Sequence, residues 1–67
     1  MIDIEVNGEA HRVTGTTTLG ALVELLELEG QALALAVNRS VIPRQQWTHR
    51  LLLAGDRIEI VRAIGGG

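Results

Sequence analysis

An alternating stretch at the start of the chain constrains the fold most. Residues 2–6 read Ile-Asp-Ile-Glu-Val, and alternation with a period of two is typical of a strand that buries one face. Asn7-Gly8 follows, and because both residue types tolerate the positive φ angles of a type I′ turn, this pair predicts a tight hairpin. Residues 9–13 predict the returning strand. An isolated hairpin is marginally stable, so the rest of this 67-residue chain must cover its apolar face.

The covering element is predicted to be a helix that begins after Thr18, whose hydroxyl is expected to cap the first turn. At 100° per residue, a group of apolar residues forms a stripe about 100° wide, as expected for a helix that lies on a sheet. The stripe consists of Leu19, Leu22, Val23 and Leu26. Leu25 flanks it and Leu28 lies opposite. We expect Gly30 to end the helix, because glycine is favoured at that position.

The second half of the chain predicts three further strands. Residues 33–37, Leu-Ala-Leu-Ala-Val, carry no charge and predict a central strand that is apolar on both faces. Residues 41–42 predict a very short strand, which ends at Pro43 because proline cannot donate to a ladder. Residues 44–50 predict a loop or a short helical turn. Residues 57–62 alternate again and predict a last strand that runs directly into the terminal glycines.

The predicted order of elements is strand, strand, helix, strand, short strand, strand, which is an α+β pattern. In so short a chain this order resembles a β-grasp, the ubiquitin-like fold. We expect a mixed sheet of four to five strands with one helix packed on one face. Residues 1–67 are expected to form one domain, with residues 64–67 as a flexible tail. Such a fold analogy does not by itself give a function.

Composition excludes most kinds of catalytic site. The chain has neither cysteine nor lysine, so it has no thiolate nucleophile, no thiolate metal ligand and no Schiff-base amine. His11 and His49 are the only imidazoles, and neither has neighbours at the spacing of a metal site. Ser40 has no nearby histidine and acid. We therefore expect a protein that is not an enzyme and that binds no metal or cofactor.

The charge pattern gives little support for nucleic-acid binding. The net charge is −2, with −5 in residues 1–33 and +3 in residues 34–67. Five dispersed arginines do not make a dense basic stripe, and Trp47, the one aromatic residue, leaves no platform for stacked bases. No apolar run is long enough for a signal peptide or a membrane span. We expect a cytoplasmic protein that binds neither nucleic acid nor membrane.

Three consecutive glycines, residues 65–67, end the sequence. They have no side chains to bury, so one interpretation is a frayed terminus. In the other, a partner threads this strip of backbone into a narrow channel, which glycine fits because it lacks Cβ, and modifies the carboxylate. A carboxylate needs activation, most simply as an acyl-adenylate made from ATP by another protein. A sulfur nucleophile could then displace AMP.

The second interpretation assigns a role to each residue of the last segment. Gly67 carries the modification, and the residues that precede it enter the partner's channel. The last strand supplies the docking contacts, since ordering the glycines has an entropic cost that docking must offset. The channel residues are Ile64, Gly65 and Gly66, and the docking residues are Val61, Arg62 and Ala63.

Several strings in the sequence resemble the sulfur carrier proteins of thiamine biosynthesis, the ThiS family. The resemblance covers the whole chain and lies in Asn7-Gly8, in Ala36-Val37-Asn38, in Val41-Ile42-Pro43-Arg44 with Trp47 three residues on, in residues 55–60 and in the terminal glycines. The string with Pro-Arg and Trp discriminates best, because ubiquitin-like modifiers and the small subunit of molybdopterin synthase also end in Gly-Gly. Leu19-Gly20-Ala21 departs from the polar first helical turn that the family leads us to expect.

This resemblance implies a function. A ThiF-like adenylyltransferase would use ATP to activate the carboxylate of Gly67, and a sulfur donor system would convert it to a thiocarboxylate. A ThiG-like thiazole synthase would then take the sulfur for the thiazole ring of thiamine. The alternatives are sulfur transfer for molybdopterin synthesis and a ubiquitin-like protein modifier. For Trp47 we expect a structural role, covering one end of the aliphatic core.

Overall fold

The computed structural model describes residues 1–62. It contains five strands and one α-helix, which are numbered here in their order along the chain. They are β1 (Ile2–Val6), β2 (Glu9–Val13), α1 (Leu19–Leu25), β3 (Leu33–Val37), β4 (Ser40–Val41) and β5 (Arg57–Arg62), with a 3-10 helix at Arg44–Gln46 before β5. The predicted first hairpin, the strand over residues 33–37 and the last strand are confirmed as elements.

The strands form one mixed sheet in the order β2-β1-β5-β3-β4. β1 and β5 are parallel, and every other pair of neighbours is antiparallel. The last strand therefore lies in the middle of the sheet, between the first strand and β3. Together with the helix on one face, this arrangement confirms the predicted α+β, β-grasp fold, with the sheet at five strands.

β4 begins one residue earlier than the sequence predicted. Asn38 and Arg39 both have positive φ, at 50° and 71°, as a two-residue type I′ turn requires. Pairing therefore resumes at once, with Ser40 opposite Val37. The prediction of a strand at residues 41–42 therefore placed its start one residue too late.

The helix buries the predicted stripe against the sheet. Leu19, Leu22 and Val23 are buried, and Leu26 packs against the same core. The Thr18 hydroxyl accepts a hydrogen bond from the Ala21 N–H at 3.1 Å, which confirms the predicted cap. The remaining buried apolar residues of the core come from the strands and the loop before β5. They are Ile4, Val6, Val13, Leu35, Val37, Trp47, Leu52 and Ile58.

The helix ends earlier than predicted, at Leu25 instead of the residue before Gly30. Glu27 adopts φ +58°, and its N–H donates to the Glu24 carbonyl while the Leu28 N–H donates to the Val23 carbonyl. This pair of hydrogen bonds is a Schellman motif. Because the chain reverses here, Leu28 packs against the core, although helical spacing would place it on the opposite side.

Trp47 closes one end of the core, as predicted. Its ring is buried, and its Nε1–H donates to the Ile42 carbonyl at 2.9 Å. The Arg44 guanidinium lies 4.9 Å from the ring centroid, within the range of a cation–π contact. The Trp47 carbonyl accepts from the Gly20 N–H at 2.9 Å, so this residue ties the first turn of the helix to the segment before β5.

Candidate functional site

β5 positions the chain at the point where it leaves the sheet. Its first two residues pair with β1, with Glu5 opposite Arg57 and Val6 opposite Ile58. Residues 58–62 pair with β3, from Val37 opposite Ile58 to Leu33 opposite Arg62. β1 ends at Val6, so the second half of β5 extends past the end of its parallel neighbour.

The side chain of Asn7 continues the ladder where β1 stops. Its Oδ1 accepts from the Ile60 N–H at 2.9 Å, and its Nδ2 donates to the Ile60 carbonyl at 3.3 Å. The backbone N–H of the same residue donates to the Ile58 carbonyl at 2.9 Å. An amide side chain thus pairs with β5 as a backbone peptide would, and it supports the strand close to its last residue.

Asn38 supports the opposite end of β5. Its Oδ1 accepts from the Arg57 N–H at 3.0 Å, and its Nδ2 donates to Asp56 Oδ1 at 3.0 Å. Asp56 is buried, and its other oxygen accepts from the Leu53 N–H at 2.8 Å and lies 3.3 Å from Arg50 Nη2. This network fixes the turn that feeds the chain into β5.

Val61 and Arg62 end the described part of the chain, and both are exposed. Val61 lies opposite Ala34 and Arg62 opposite Leu33. Because side chains alternate along a strand, Val61 is on the sheet face away from the helix and Arg62 is on the other. The two predicted docking residues therefore do not share one surface, and their role in docking stays a prediction. Ala63, Ile64, Gly65, Gly66 and Gly67 lie outside the described residues.

The other candidates from the sequence are not brought together. His11 lies opposite Ile4 in the first hairpin, whereas His49 follows the 3-10 helix and Ser40 begins β4. Within residues 1–62, no group of three or more His, Cys, Asp or Glu side chains could hold a metal ion. No helix in the same range is long and apolar enough to cross a membrane.

The sequence interpretation missed what three polar side chains do. The side chains of Asn7 and Asn38 bond to the backbone of β5, and the Asp56 side chain holds the turn that precedes it. A signal was present, since each of the two asparagines stands directly after a strand whose partner is β5. The periodicity of a single segment cannot show which distant backbone such a side chain will reach.

A five-stranded mixed sheet with one covering helix, whose middle strand leads into the C-terminal segment, defines a small β-grasp domain of the ubiquitin-like type. Comparison with known proteins narrows this class. A family model of ThiS matches residues 4–67, and the chain belongs to the ThiS family.

Individual relatives agree with this assignment. The sulfur carrier protein ThiS of Escherichia coli K12 is 32% identical over 66 residues, which cover 98% of this chain and 100% of that protein. A thiazole synthase of Magnetococcus marinus is 36% identical over 64 residues, which cover 96% of this chain and 20% of that protein. The crystal structure of a thiamine biosynthesis protein (ThiS) from Geobacter metallireducens covers 98% of this chain and 100% of its own, with a TM-score of 0.84 and 22% identity. That structure supports the fold.

Proposed function

We propose that this chain is a sulfur carrier of thiamine biosynthesis. The observation that carries the proposal is the full-length similarity to a sulfur carrier protein ThiS, at 32% identity, with a family match that extends to Gly67. The part of the chain that the structure describes fits this role, because β5 lies between β1 and β3 in the middle of the sheet and leads into the C-terminal segment. The chain is a carrier, and its chemistry takes place in partner enzymes.

The reactive group in this proposal is the carboxylate of Gly67. A carboxylate oxygen attacks the α-phosphorus of ATP in an adenylyltransferase of the ThiF type, and pyrophosphate leaves. A sulfur nucleophile at the oxidation level of hydrosulfide, supplied by a sulfur donor system, then attacks the carbonyl carbon. The C–S bond forms, the C–O bond to AMP breaks, and a thiocarboxylate remains. ATP is bound by the enzyme, and the carrier itself needs no cofactor.

The thiocarboxylate passes its sulfur to a thiazole synthase of the ThiG type. Support comes from the thiazole synthase of Magnetococcus marinus, about a fifth of which is similar to this chain. A protein that carries both parts in one polypeptide brings the sulfur carrier and its acceptor to high effective concentration. Such a fusion is expected if the carrier part and the synthase part act together in sulfur transfer.

Residues 64–67 act as the tail that enters the channel of each enzyme, and residues 1–67 act as one cytoplasmic domain. In an extended conformation, Ile64 to Gly67 span roughly 13–14 Å, at ~3.3–3.6 Å per residue. Fixing the three glycines costs on the order of 3–6 kcal/mol, from about 1–2 kcal/mol for each backbone. Contacts between the folded body and the enzyme offset this cost, and a body that is already folded loses less entropy on docking than a disordered segment would.

Intact-mass spectrometry tests the proposal. The protein is incubated with an adenylyltransferase of the ThiF type, ATP and a sulfide source. We expect a mass increase that corresponds to replacement of one oxygen by sulfur at the C-terminus. Addition of a thiazole synthase with its other substrates should restore the original mass. A variant that lacks both Gly66 and Gly67 is the control and should stay unmodified. An unchanged mass of the intact protein would contradict the proposal.

A further inference from the structure

The turn of the first hairpin, Asn7-Gly8, has a chemical reactivity of its own. The backbone nitrogen of the residue after an asparagine can attack the side-chain amide carbon, and glycine obstructs this attack least because it has no Cβ. The chain has two asparagines, Asn7 and Asn38, and only Asn7 precedes a glycine. Gly8 is exposed, and a Cβ built on it would meet nothing within 4 Å. The surroundings of this turn are therefore open to water.

The side chain of Asn7 is held by β5, but only by exposed contacts. Its Oδ1 accepts from the Ile60 N–H at 2.9 Å and its Nδ2 donates to the Ile60 carbonyl at 3.3 Å, and both hydrogen bonds are exposed. Such bonds compete with water and stabilise only modestly. They slow an attack on the amide carbon of Asn7 without preventing it.

Asn38 provides a comparison within the same molecule. It opens a turn of the same kind, and its φ of 50° equals that of Asn7. The next residue is Arg39, whose side chain obstructs attack by its own backbone nitrogen. The Asn38 amide is also held at a partly buried position, where Nδ2 donates to Asp56 Oδ1 at 3.0 Å. Both differences predict that Asn38 is much less reactive than Asn7.

We propose that Asn7 is a site of spontaneous deamidation, and that the reaction releases the end of β5. The Gly8 backbone nitrogen loses its proton and bonds to Asn7 Cγ, the bond from Cγ to Nδ2 breaks, and ammonia leaves. Water then opens the succinimide. Cleavage between Cγ and the nitrogen gives aspartate, and cleavage between the Asn7 carbonyl carbon and the nitrogen gives isoaspartate. The reaction requires only water, so it does not depend on the proposed function.

The aspartate product weakens the contact with β5. An oxygen replaces Nδ2, so two acceptors meet where Asn7 donated to the Ile60 carbonyl. The new negative charge lies in a shallow depression that Glu5 and Glu59 also line. Arg57 is the one cation among the described residues that line it, and its Nε already lies 3.8 Å from Glu5 Oε2. The local charge therefore disfavours the aspartate.

The isoaspartate product also changes the turn. Its main chain runs through Cγ, so the former amide group becomes part of the backbone and can no longer pair with Ile60. The turn gains a backbone atom, whereas the φ angles of 50° at Asn7 and 85° at Gly8 fit a turn of two residues. The pairing of Val6 with Glu9, which closes this turn, is then disturbed. Isoaspartate should therefore release β5 more fully than aspartate.

Peptide mapping tests whether the reaction occurs. The full-length protein is incubated in mildly alkaline buffer and digested with trypsin, which separates the two asparagines into peptides 1–12 and 13–39. We expect peptide 1–12 to gain one mass unit, because NH2 is replaced by OH, and peptide 13–39 to stay unchanged. A sample digested without incubation gives the background. No gain in peptide 1–12, or an equal gain in both peptides, would overturn the proposal.

Hydrogen exchange tests the effect on β5. Anion exchange separates the deamidated molecules by their added negative charge. In them the Ile60 amide should exchange faster than in the unmodified protein, by about fivefold where both side-chain hydrogen bonds are lost. The amide of Leu22 in α1 should follow only the change in global stability. Unchanged exchange at Ile60 would overturn the inference that deamidation releases the end of β5.

Asn7→Asp is the matched variant, because it carries the new charge without the added backbone atom. It should show a smaller increase at Ile60 than the isoaspartate form, since Oδ1 is kept. Faster exchange at Ile60 in Asn7→Asp than in the isoaspartate form would contradict the role given to the turn.

Discussion

Asn7 and Ile60 are 53 residues apart in the sequence, and the side chain of the first forms two hydrogen bonds with the backbone of the second. Oδ1 accepts from the Ile60 N–H at 2.9 Å and Nδ2 donates to its carbonyl at 3.3 Å. The residue that turns the first hairpin therefore also holds the strand that leads to the C-terminus. Loss of this side chain should loosen β5 near its end.

Asn7→Gly should weaken this end of β5 specifically. Glycine adopts the φ of +50° found at this position without a steric penalty, so the turn is kept while both side-chain hydrogen bonds are lost. We expect the free energy of unfolding to fall by about 1 kcal/mol, since each hydrogen bond contributes about 0.5–1.5 kcal/mol and this site is exposed. Urea denaturation gives the change in stability.

Hydrogen exchange locates the effect of that substitution. The amide of Ile60 should exchange faster in Asn7→Gly, whereas the amide of Leu22 in the helix should follow only the change in global stability. Asn7→Asp keeps the acceptor and loses the donor, so it should lie between the wild-type protein and Asn7→Gly. Unchanged exchange at Ile60 would show that the side chain does not support the strand.

Asp56→Ala should be strongly destabilising. The carboxylate is buried and accepts from the Leu53 N–H, from Asn38 Nδ2 and from Arg50, so its removal leaves buried donors without partners. We expect a loss of about 2–4 kcal/mol, measured by chemical denaturation. The control is Asp3→Ala, because the pair of Asp3 with Arg12 is exposed and such pairs contribute about 0–1 kcal/mol. Equal losses in the two variants would contradict this view of Asp56.

Glu27→Gly should stabilise the protein. Glu27 occupies the left-handed region at φ +58°, which costs an L-residue roughly 1–2 kcal/mol. Glycine removes that cost but gives the unfolded chain more freedom, worth about 0.4–1 kcal/mol. We expect a net gain of about 0.5–1 kcal/mol in the thermal or urea unfolding free energy. Glu29→Gly makes the same change of residue where φ is not positive, so it should give no gain. A loss of stability in Glu27→Gly would rule out the proposed strain.

Gly67→Ala should nearly abolish adenylation. In the proposed function the channel admits backbone without side chains, and misplacing a reacting group by about 1 Å can lower the rate ~10²-fold. The measurement is pyrophosphate exchange at saturating ATP. Gly15→Ala is the control, because a Cβ at Gly15 meets nothing within 4 Å and leaves the tail unchanged. Adenylation of Gly67→Ala at the wild-type rate would contradict the narrow channel.

The sequence predicted the parts of the fold that depend on local pattern. The alternation of residues 2–6 and the Asn7-Gly8 pair correctly gave the first hairpin, because turn chemistry and side-chain period act over a few residues. The end of the helix was missed, because Gly30 is the usual signal for a C-terminus and Glu27 is not. The core accepts Leu28 after the reversal, and this tertiary contact outweighs the preference at the terminus.

The sequence allowed prediction only of those features of the candidate site that depend on the types of residue present. Modification of the Gly67 carboxylate was predicted from residue type alone, and it stays a prediction because Gly67 lies outside the described residues. The support for β5 could not be predicted, because the hydrogen bonds of Asn7 and Asn38 cross 53 and 19 residues of sequence. The predicted docking surface includes both Val61 and Arg62, although alternation along a strand places their side chains on opposite faces of the sheet.

The central place of β5 has a mechanical consequence. Any pull that a partner exerts on the chain beyond Arg62 acts along the length of β5, which pairs with β1 on one side and with β3 on the other. Such a load is a shear on both ladders, and it is shared by many hydrogen bonds at the same time. A partner that pulls on the C-terminal segment therefore does not break the hydrogen bonds of β5 one after another.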